Sequence, residues 1–298
     1  MTRLAVLADI HGNLPALEAV IEDMAQFAVD HVVVAGDSIN VGPFSREVLE
    51  VISARNWAVI RGNNGYYVTE YQTPRMPAHW SAFTLPPWLK EQLGAEWINV
   101  IACQPDTLSL RFPDAAPLRV FHGLPNNPWV AITPLSSSSD IKAWLQDTSE
   151  ETVICAHSHI PLERQIERWH VFNPGSVGIP LDGLPRASYM IIDGDHTGWT
   201  LAAHRRVSFE HKPIYDAFDK QRFVQRCGVA AMLLAQEFQT ARLWLWPFLQ
   251  WKQRHHPGQA ESVELFDQFM RLDDISSYRP AEYRDLTPDL FRDSIVIT

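Results

Sequence analysis

Two rhythms of apolar and polar positions alternate along the chain. Short runs rich in β-branched residues recur at Leu4 to Ala8, His31 to Ala35 (HVVVA), Trp57 to Arg61 (WAVIR), Leu118 to Phe121 and Thr152 to Ala156 (TVICA). Runs of this length bounded by turn residues predict buried strands. Between the first two, Leu17, Val20, Ile21, Met24 and Phe27 recur every three or four residues behind Asn13 and Pro15. A capping side chain followed by an early proline suits a helix start, so the spacing predicts a helix there. A second helix is expected from Phe44 to Ala54, with Val48, Val51 and Ile52 on its apolar face. Strand, helix, strand requires crossover connections, and the expected fold class is α/β.

Over residues 65–106 the rhythm breaks. Pro74, Pro77, Pro86, Pro87 and Pro105 interrupt it, with short helical pieces around Trp88 to Leu93. This predicts a loop-rich excursion of the kind that caps a site. Strand-like runs return from Trp169 to about Arg206 (WHVFN, SYMIID, WTLAAH). Beyond Lys212 the pattern is helical, with Phe223, Cys227, Ala230, Leu234 and Phe238 on one face and Val263, Phe266 and Met270 on another. The expected organisation is a main domain over residues 1–210 and a helical C-terminal appendage over 211–298. The aromatic segment Trp244 to Trp251 (WLWPFLQW) suits core or a subunit interface better than base stacking, so a homo-oligomer formed through it is an expectation.

Composition narrows the function. Hydrophobic residues make up 46% and charged ones 20% of 298 residues, as in soluble globular chains. The balance of 25 Lys+Arg against 35 Asp+Glu gives a net charge of −10, which repels a polyanion, so bulk nucleic-acid binding is not expected. A small anionic substrate stays compatible, because metal ions in a cleft reverse the local sign. Cys103, Cys155 and Cys227 are too few and too scattered for a disulfide framework or a thiolate cage. Asp9 and His11 interrupt the first apolar run before a signal-peptide core forms, and no apolar stretch reaches the roughly 18 residues of a membrane helix. A cytoplasmic protein without membrane contact is expected.

The residues with chemical potential follow the predicted strands. Asp9 and His11 come after the first, Gly36-Asp37 after the second, Gly62-Asn63 after the third, His122 after the fourth and His157-Ser158-His159 after the fifth. In open α/β sheets, sites form outside the carboxyl ends of strands. Taken singly, His122 is a loop histidine, Asp37 a turn residue and Asn63 a helix cap. Their joint placement points instead to a metal centre. Two carboxylates, one amide and four imidazoles exceed the needs of one ion and match two ions sharing a bridging carboxylate. Without a thiolate, the set suits Mn²⁺ first, with Fe, Co²⁺, Zn²⁺ or Ni²⁺ as alternatives, over Ca²⁺.

The series DIHGN (Asp9 to Asn13), GD (Gly36, Asp37), GN (Gly62, Asn63), HG (His122, Gly123) and HSH (His157 to His159) resembles the calcineurin-like metallophosphoesterase superfamily. The stretch NPGSVGIPLDGLPRASY (Asn173 to Tyr189) resembles its bacterial phosphodiesterase-like branch. The resemblance spans about residues 4 to 206. It implies a four-layer αββα sandwich of two packed sheets and hydrolysis of phosphoesters by a metal-bridging hydroxide. It further implies that Asp9, His11, Asp37 and His159 hold one metal, and that Asp37, Asn63, His122 and His157 hold the other, Asp37 being the bridge.

One departure bears on catalysis. Many members carry GNH followed by an acidic residue, where this chain has Gly62-Asn63-Asn64-Gly65. Asn64 can donate a hydrogen bond to a phosphate oxygen, but an amide is no general acid near neutral pH. Activated diesters and phosphoanhydrides should therefore be preferred over alkyl monoesters, unless His79 or another excursion residue supplies the proton. Where related bacterial sequences often carry an Arg, this chain has Leu181, which leaves Arg186 as a candidate substrate contact. Asn173 and Ser176 are expected to shape the loop. The expected function is a binuclear phosphodiesterase acting on a small phosphorylated substrate such as a nucleotide, with Asp37, Asn63 and Asn64 as catalytic residues. Narrower alternatives are a dinucleoside polyphosphate hydrolase and a protein phosphatase. A catalytically weak metal-binding scaffold for protein partners is the alternative of another class, and the filled ligand positions favour the enzyme.

Overall fold

The computed structural model describes residues 1–284; residues 285–298, the end of the expected appendage, lie outside the described residues. Its elements run β1 (Thr2–Leu7), α1 (Leu14–Met24), β2 (His31–Val34), α2 (Ser45–Ala54), β3 (Ala58–Val59), α3 (Asn63–Thr69), α4 (Leu85–Cys103), β4 (Thr107–Phe112), β5 (Ala115–Phe121), α5 (Ser138–Leu145), β6 (Thr152–Ile154), β7 (Pro161–Ile166), β8 (Trp169–Pro174), β9 (Ala187–Asp195) and β10 (Gly198–Val207). The helices α6 (Lys212–Lys220), α7 (Phe223–Thr240), α8 (Leu245–His255), α9 (Val263–Met270) and α10 (Ala281–Arg284) follow.

The strands form two five-stranded sheets, ordered β10-β9-β1-β2-β3 and β4-β5-β6-β8-β7. In the first, β1, β2 and β3 are parallel, with Val6 opposite Val33 and Val34 opposite Val59. In the second, β5, β6 and β8 are parallel, with Val120 opposite Ile154 and Ile154 opposite Phe172. Alternate residues of β1 serve two cores. Leu4 and Val6 turn inward onto Leu118, Val120, Ile154 and Phe172 of the other sheet. Ala5 and Leu7 turn outward onto Leu17 and Val20 of α1 and Val48 and Ile52 of α2. The outer face of the second sheet packs Val153 and Val171 against Ile141 and Leu145 of α5. Strands buried on both faces read as continuous apolar runs, and the layers stack α, β, β, α.

Sequence and structure part company at the edges. WHVFN becomes β8 in the second sheet, whereas SYMIID and WTLAAH become β9 and β10 in the first. Strands β4 and β7 were not anticipated; they are the two edge strands of the second sheet, half-exposed or led by a proline, and so lack an apolar run. The excursion over 65–106 is mainly helical rather than loop-rich. Pro86 and Pro87 lie in the first turn of α4, where no intrahelical N–H is required, and so begin a helix instead of breaking one. Gly94, at φ 63°, divides α4 into two segments.

The C-terminal helices share a core with α4: Phe223, Cys227, Leu234 and Phe238 of α7 pack with Trp88, Leu89 and Leu93. Ala230 is only partly buried, because α7 bends at Gly228 (φ 62°). The buried face of α9 is Leu265 and Phe269 rather than the expected Val263, Phe266 and Met270, and Val263 is 53% exposed. Leu265 and Phe269, four apart, meet Phe248 and Trp251 of α8, so the aromatic segment builds the chain's own core while Trp246 stays exposed. Among the described residues, no helix is long and apolar enough to cross a membrane.

Candidate metal centre

The carboxyl ends of the parallel strands in both sheets meet. Asp9 and His11 follow β1, Asp37 follows β2, Asn63 opens α3 after β3, His122 follows β5, and His157 and His159 follow β6. Five of these residues turn the chain through the left-handed region: Asp9 (φ 52°), His11 (49°), Asp37 (50°), His157 (67°) and His159 (58°). Such backbone is uncommon outside glycine and persists only where surroundings enforce it. Here the His11 N–H donates to the Asp37 carbonyl at 2.9 Å and the Asp9 N–H to the Gly36 carbonyl at 3.2 Å, locking the first two turns together.

The glycines of the GD and GN pairs have a steric reason. A Cβ on Gly36 would lie 2.5 Å from Nδ1 of His122, and one on Gly62 would lie 2.0 Å from Oδ1 of Asp37. The absent side chains make room for a histidine and a carboxylate of the site.

The seven side chains form two adjoining groups. Asp9, His11 and His159 bring their ligand atoms within 4.8 Å of one another, and so do Asp37, His122 and His157. His11 Nε2 lies 3.2 Å from His159 Nε2 and 3.8 Å from both Asp9 Oδ1 and Asp37 Oδ2. His122 Nε2 lies 3.1 Å from Asp37 Oδ2, 3.8 Å from Asp9 Oδ1 and 2.9 Å from Asn63 Oδ1, which brings Asn63 into the second group. The outer ring nitrogens are anchored: His122 Nδ1 donates to the Ala35 carbonyl at 2.9 Å and His159 Nδ1 to the Ile179 carbonyl at 2.6 Å. In the neutral rings this leaves the Nε2 lone pairs facing the centre.

Electrostatics favour cations here. Burial alone would raise the Asp9 and Asp37 carboxyls, but the neighbouring imidazolium charges, His159 first for Asp9 and His122 for Asp37, hold both below the usual carboxylate range. Burial pushes His11 and His157 down to about 4, so both are neutral near neutral pH and available as candidate ligands. Burial also opposes charge on His122, yet Asp37 and Asp9 outweigh it and push that ring up to about 9; His159 is raised in the same way, chiefly by Asp9. Asp9 Oδ1 is buried without a hydrogen-bond partner among the described residues. A buried orphan carboxylate oxygen among imidazole nitrogens fits divalent ions, which would displace the protons on His122 and His159.

Asn64 is engaged from both sides. Its side-chain amide donates to Asp37 Oδ2, its backbone N–H donates to Asp37 Oδ1 at 2.9 Å, and its oxygen accepts from Asn40 Nδ2 at 2.6 Å. Asn40 was missed in the sequence; its signal is position, three residues after Asp37 in DSIN, at φ 74°. Arg186 and His79 are exposed, and neither joins the two groups; His79 packs edge-on against Trp80 and Phe83. Asn173 and Ser176 shape the site's frame. Asn173 Nδ2 donates to the Ala156 carbonyl at 3.2 Å, and Ser176 Oγ donates to the Asp9 carbonyl at 2.7 Å.

Comparison with known proteins agrees with this geometry. The calcineurin-like phosphoesterase superfamily domain matches residues 2–197. The protein MJ0912 of Methanocaldococcus jannaschii is 26% identical over 255 residues, 76% of this chain and 95% of its own. Phosphodiesterase YfcE of Escherichia coli is 29% identical over 201 residues, 65% of this chain and 89% of its own. Among solved structures, a metallophosphoesterase from Sphaerobacter thermophilus superposes with TM-score 0.63 at 22% identity, over 80% of this chain and 99% of its own. The protein PH1004 from Pyrococcus horikoshii does so with TM-score 0.64 at 25% identity, over 74% and 94%. With two metal-ligand groups at the meeting strand ends of an αββα sandwich, this chain belongs to the calcineurin-like phosphoesterase superfamily.

Proposed function

We propose that the protein is a binuclear metal-dependent phosphodiesterase, cleaving phosphodiester or phosphoanhydride bonds in a small phosphorylated substrate, with Mn²⁺ as the working metal. The observation that carries this is the sharing of carboxylates between the groups: His11 Nε2 is 3.8 Å from both Asp9 and Asp37, and His122 Nε2 also reaches both. The likeness to a relative named as a phosphodiesterase supports the same reading. Two divalent ions held here would supply Lewis acidity, lowering the pKa of bound water and neutralising phosphate charge. The chain's own residues supply position. Asp9, His11, Asp37 and His159 would hold one ion, and Asp37, Asn63, His122 and His157 the other. The carbonyls of Ala35 and Ile179 fix two rings, and Asn64 fixes Asp37.

Asn64 is spent on Asp37 and Asn40 and an amide is no general acid, so leaving groups that are stable as anions are preferred. The test is hydrolysis of bis-p-nitrophenyl phosphate, p-nitrophenyl phosphate and diadenosine tetraphosphate by metal-stripped protein refilled with Mn²⁺, with Asp37→Asn as control. Turnover of the diester or the anhydride that Asp37→Asn abolishes is the expected result. No turnover with two metals bound per chain would favour the scaffold.

A further inference from the structure

Aromatic rings gather beside the second ligand group. Tyr67 of α3 packs against Trp80, Trp129 and Phe83, with ring centroids 4.6, 5.4 and 5.8 Å away, and Trp80 and Trp129 are 5.8 Å apart. Trp80 is buried, whereas Trp129 is 41% and Phe83 36% exposed.

Two sides of this cluster are anchored next to candidate metal ligands. Tyr67 stands four residues after Asn63, one turn along the same face of α3. Trp129 belongs to the loop that follows His122. Its backbone N–H donates to Asn127 Oδ1 at 3.0 Å, and the N–H groups of Leu124 and Asn127 each donate to the other's carbonyl, at 2.8 and 3.2 Å. The next residue, Val130, folds back onto Gly123, the neighbour of His122: a Cβ on Gly123 would lie 2.5 Å from the Val130 carbonyl oxygen. Asn63 Oδ1 and His122 Nε2 are themselves 2.9 Å apart. The rings therefore stand at the edge of the group formed by Asp37, Asn63, His122 and His157. The Tyr67 hydroxyl agrees with that placement: burial first, and then the charge of Asp37, pushes it up to about 12, so the ring stays a neutral phenol.

The surface on offer is small. Tyr66 is already covered, because the Arg61 guanidinium lies 4.2 Å from its ring centroid while pairing with Asp106. Trp129, Phe83 and Val130, the last 39% exposed, remain. A whole aromatic side chain buries about 150–250 Å², so together they present on the order of 200–250 Å². That falls well short of the roughly 800 Å² per partner in a stable protein interface. It matches a single planar ring, and aromatic side chains stack such rings readily. Aryl oxides and nucleotide phosphates carry such rings and are also stable as anions, the kind of leaving group that Asn64 favours.

We infer that Trp129, with Phe83 and Tyr67, stacks a planar aromatic ring carried by the substrate, so that the site selects aryl or nucleoside phosphoesters and anhydrides over alkyl ones. This rests on the phosphodiesterase reading above, but the stacking does not depend on turnover.

The test is calorimetric titration of phenylphosphonate and methylphosphonate, which share a headgroup and resist hydrolysis, into the full-length Mn²⁺-loaded protein. Wild type is compared with Trp129→Ala and Trp129→Phe, and with Trp246→Ala as an exposed aromatic control on α8. Circular dichroism establishes that each variant is folded. Wild type should bind phenylphosphonate about tenfold or more tightly than methylphosphonate. Trp129→Ala should lose that difference, Trp129→Phe should keep part of it and Trp246→Ala all of it. The same contrast between adenosine 5′-methylenediphosphonate and methylenediphosphonate separates the two sources of the ring: a larger gain for the nucleoside pair assigns a nucleobase, and a larger gain for the phenyl pair a simple aryl ester. With bis-p-nitrophenyl phosphate, Trp129→Ala should raise KM about tenfold and change kcat little. No binding of phenylphosphonate, equal binding of the two phosphonates by wild type, or a difference that survives in Trp129→Ala overturns the inference. Ring-dependent binding with an unchanged KM in an active enzyme overturns its assignment to substrate. An inactive enzyme whose ring-dependent binding is lost in Trp129→Ala refutes the phosphodiesterase reading and leaves the stacking site standing.

Discussion

Asn64 donates to both oxygens of Asp37, its backbone N–H to Oδ1 and its side-chain amide to Oδ2, while Asn40 holds the amide oxygen from behind. This pairing sets the direction of the carboxylate that faces both ligand groups. Partners that orient metal ligands are typically worth roughly 10–100-fold in metal affinity or activity. Asn64→Ala should therefore weaken Mn²⁺ binding by about that factor with the fold intact, as read by calorimetric titration of stripped protein. Unchanged affinity would remove Asn64 from this positioning role.

Gly62→Ala tests the same carboxylate from the other side. Gly62 has φ −92°, so alanine meets no backbone strain, and the added Cβ would lie 2.0 Å from Asp37 Oδ1. Overpacking of this kind typically costs about 1–3 kcal/mol. Urea unfolding should show a loss in that range, accompanied by weaker metal binding. A stabilised variant would mean that the site relaxes freely.

Glu237 carries a pH signature outside the metal centre. Burial raises its carboxyl from 4.5 to about 6, only partly opposed by the N–H groups of Leu245 and Trp244. The folded state thus binds this proton more tightly than the unfolded chain. Its contribution to stability is lost as pH rises from about 4.5 to about 6, after which the penalty is constant, on the order of 2 kcal/mol. Glu237→Gln keeps the acceptor oxygen for both N–H groups and removes the charge. The variant should be more stable than wild type at pH 7 and should lack this downward trend between pH 4.5 and 6 in denaturant unfolding. Parallel pH profiles for the two proteins would contradict the assignment.

Removing metal should stop turnover without unfolding the chain. The ligand residues are held by backbone hydrogen bonds such as His11 N to the Asp37 carbonyl, and by strands buried on both faces. Chelated protein should keep its far-UV circular dichroism, and added Mn²⁺ should raise the melting temperature by mass action, worth about 2.7 kcal/mol at 100 times Kd. Loss of secondary structure on chelation would show that the metals are part of the folding core.

The candidate ligand positions were legible because they follow apolar strands, and a chemical side chain after Leu4–Ala8 or Thr152–Ala156 stands out against its run. The edge strands were not. β7 (PLERQI) opens with proline and has Glu163 and Gln165 on its exposed side, so it carries no apolar run. The prolines of α4 mark a helix start, which a reading of proline as a breaker inverts. Asn40 lay hidden because its role is to hold Asn64, a partnership created only when β2 and β3 become neighbours.

The left-handed backbone at Asp9, His11, Asp37, His157 and His159 limits the chemical alphabet of the centre. Among residues with side chains, Asp, Asn and His are those that occupy this region most readily. Each position thus answers to two requirements at once, a donor for the metal and a tolerance for the turn. Glutamate or cysteine would satisfy the first and meet the second only at a greater backbone cost. The make-up of this centre is decided as much by the peptide chain as by the ions it is built to hold.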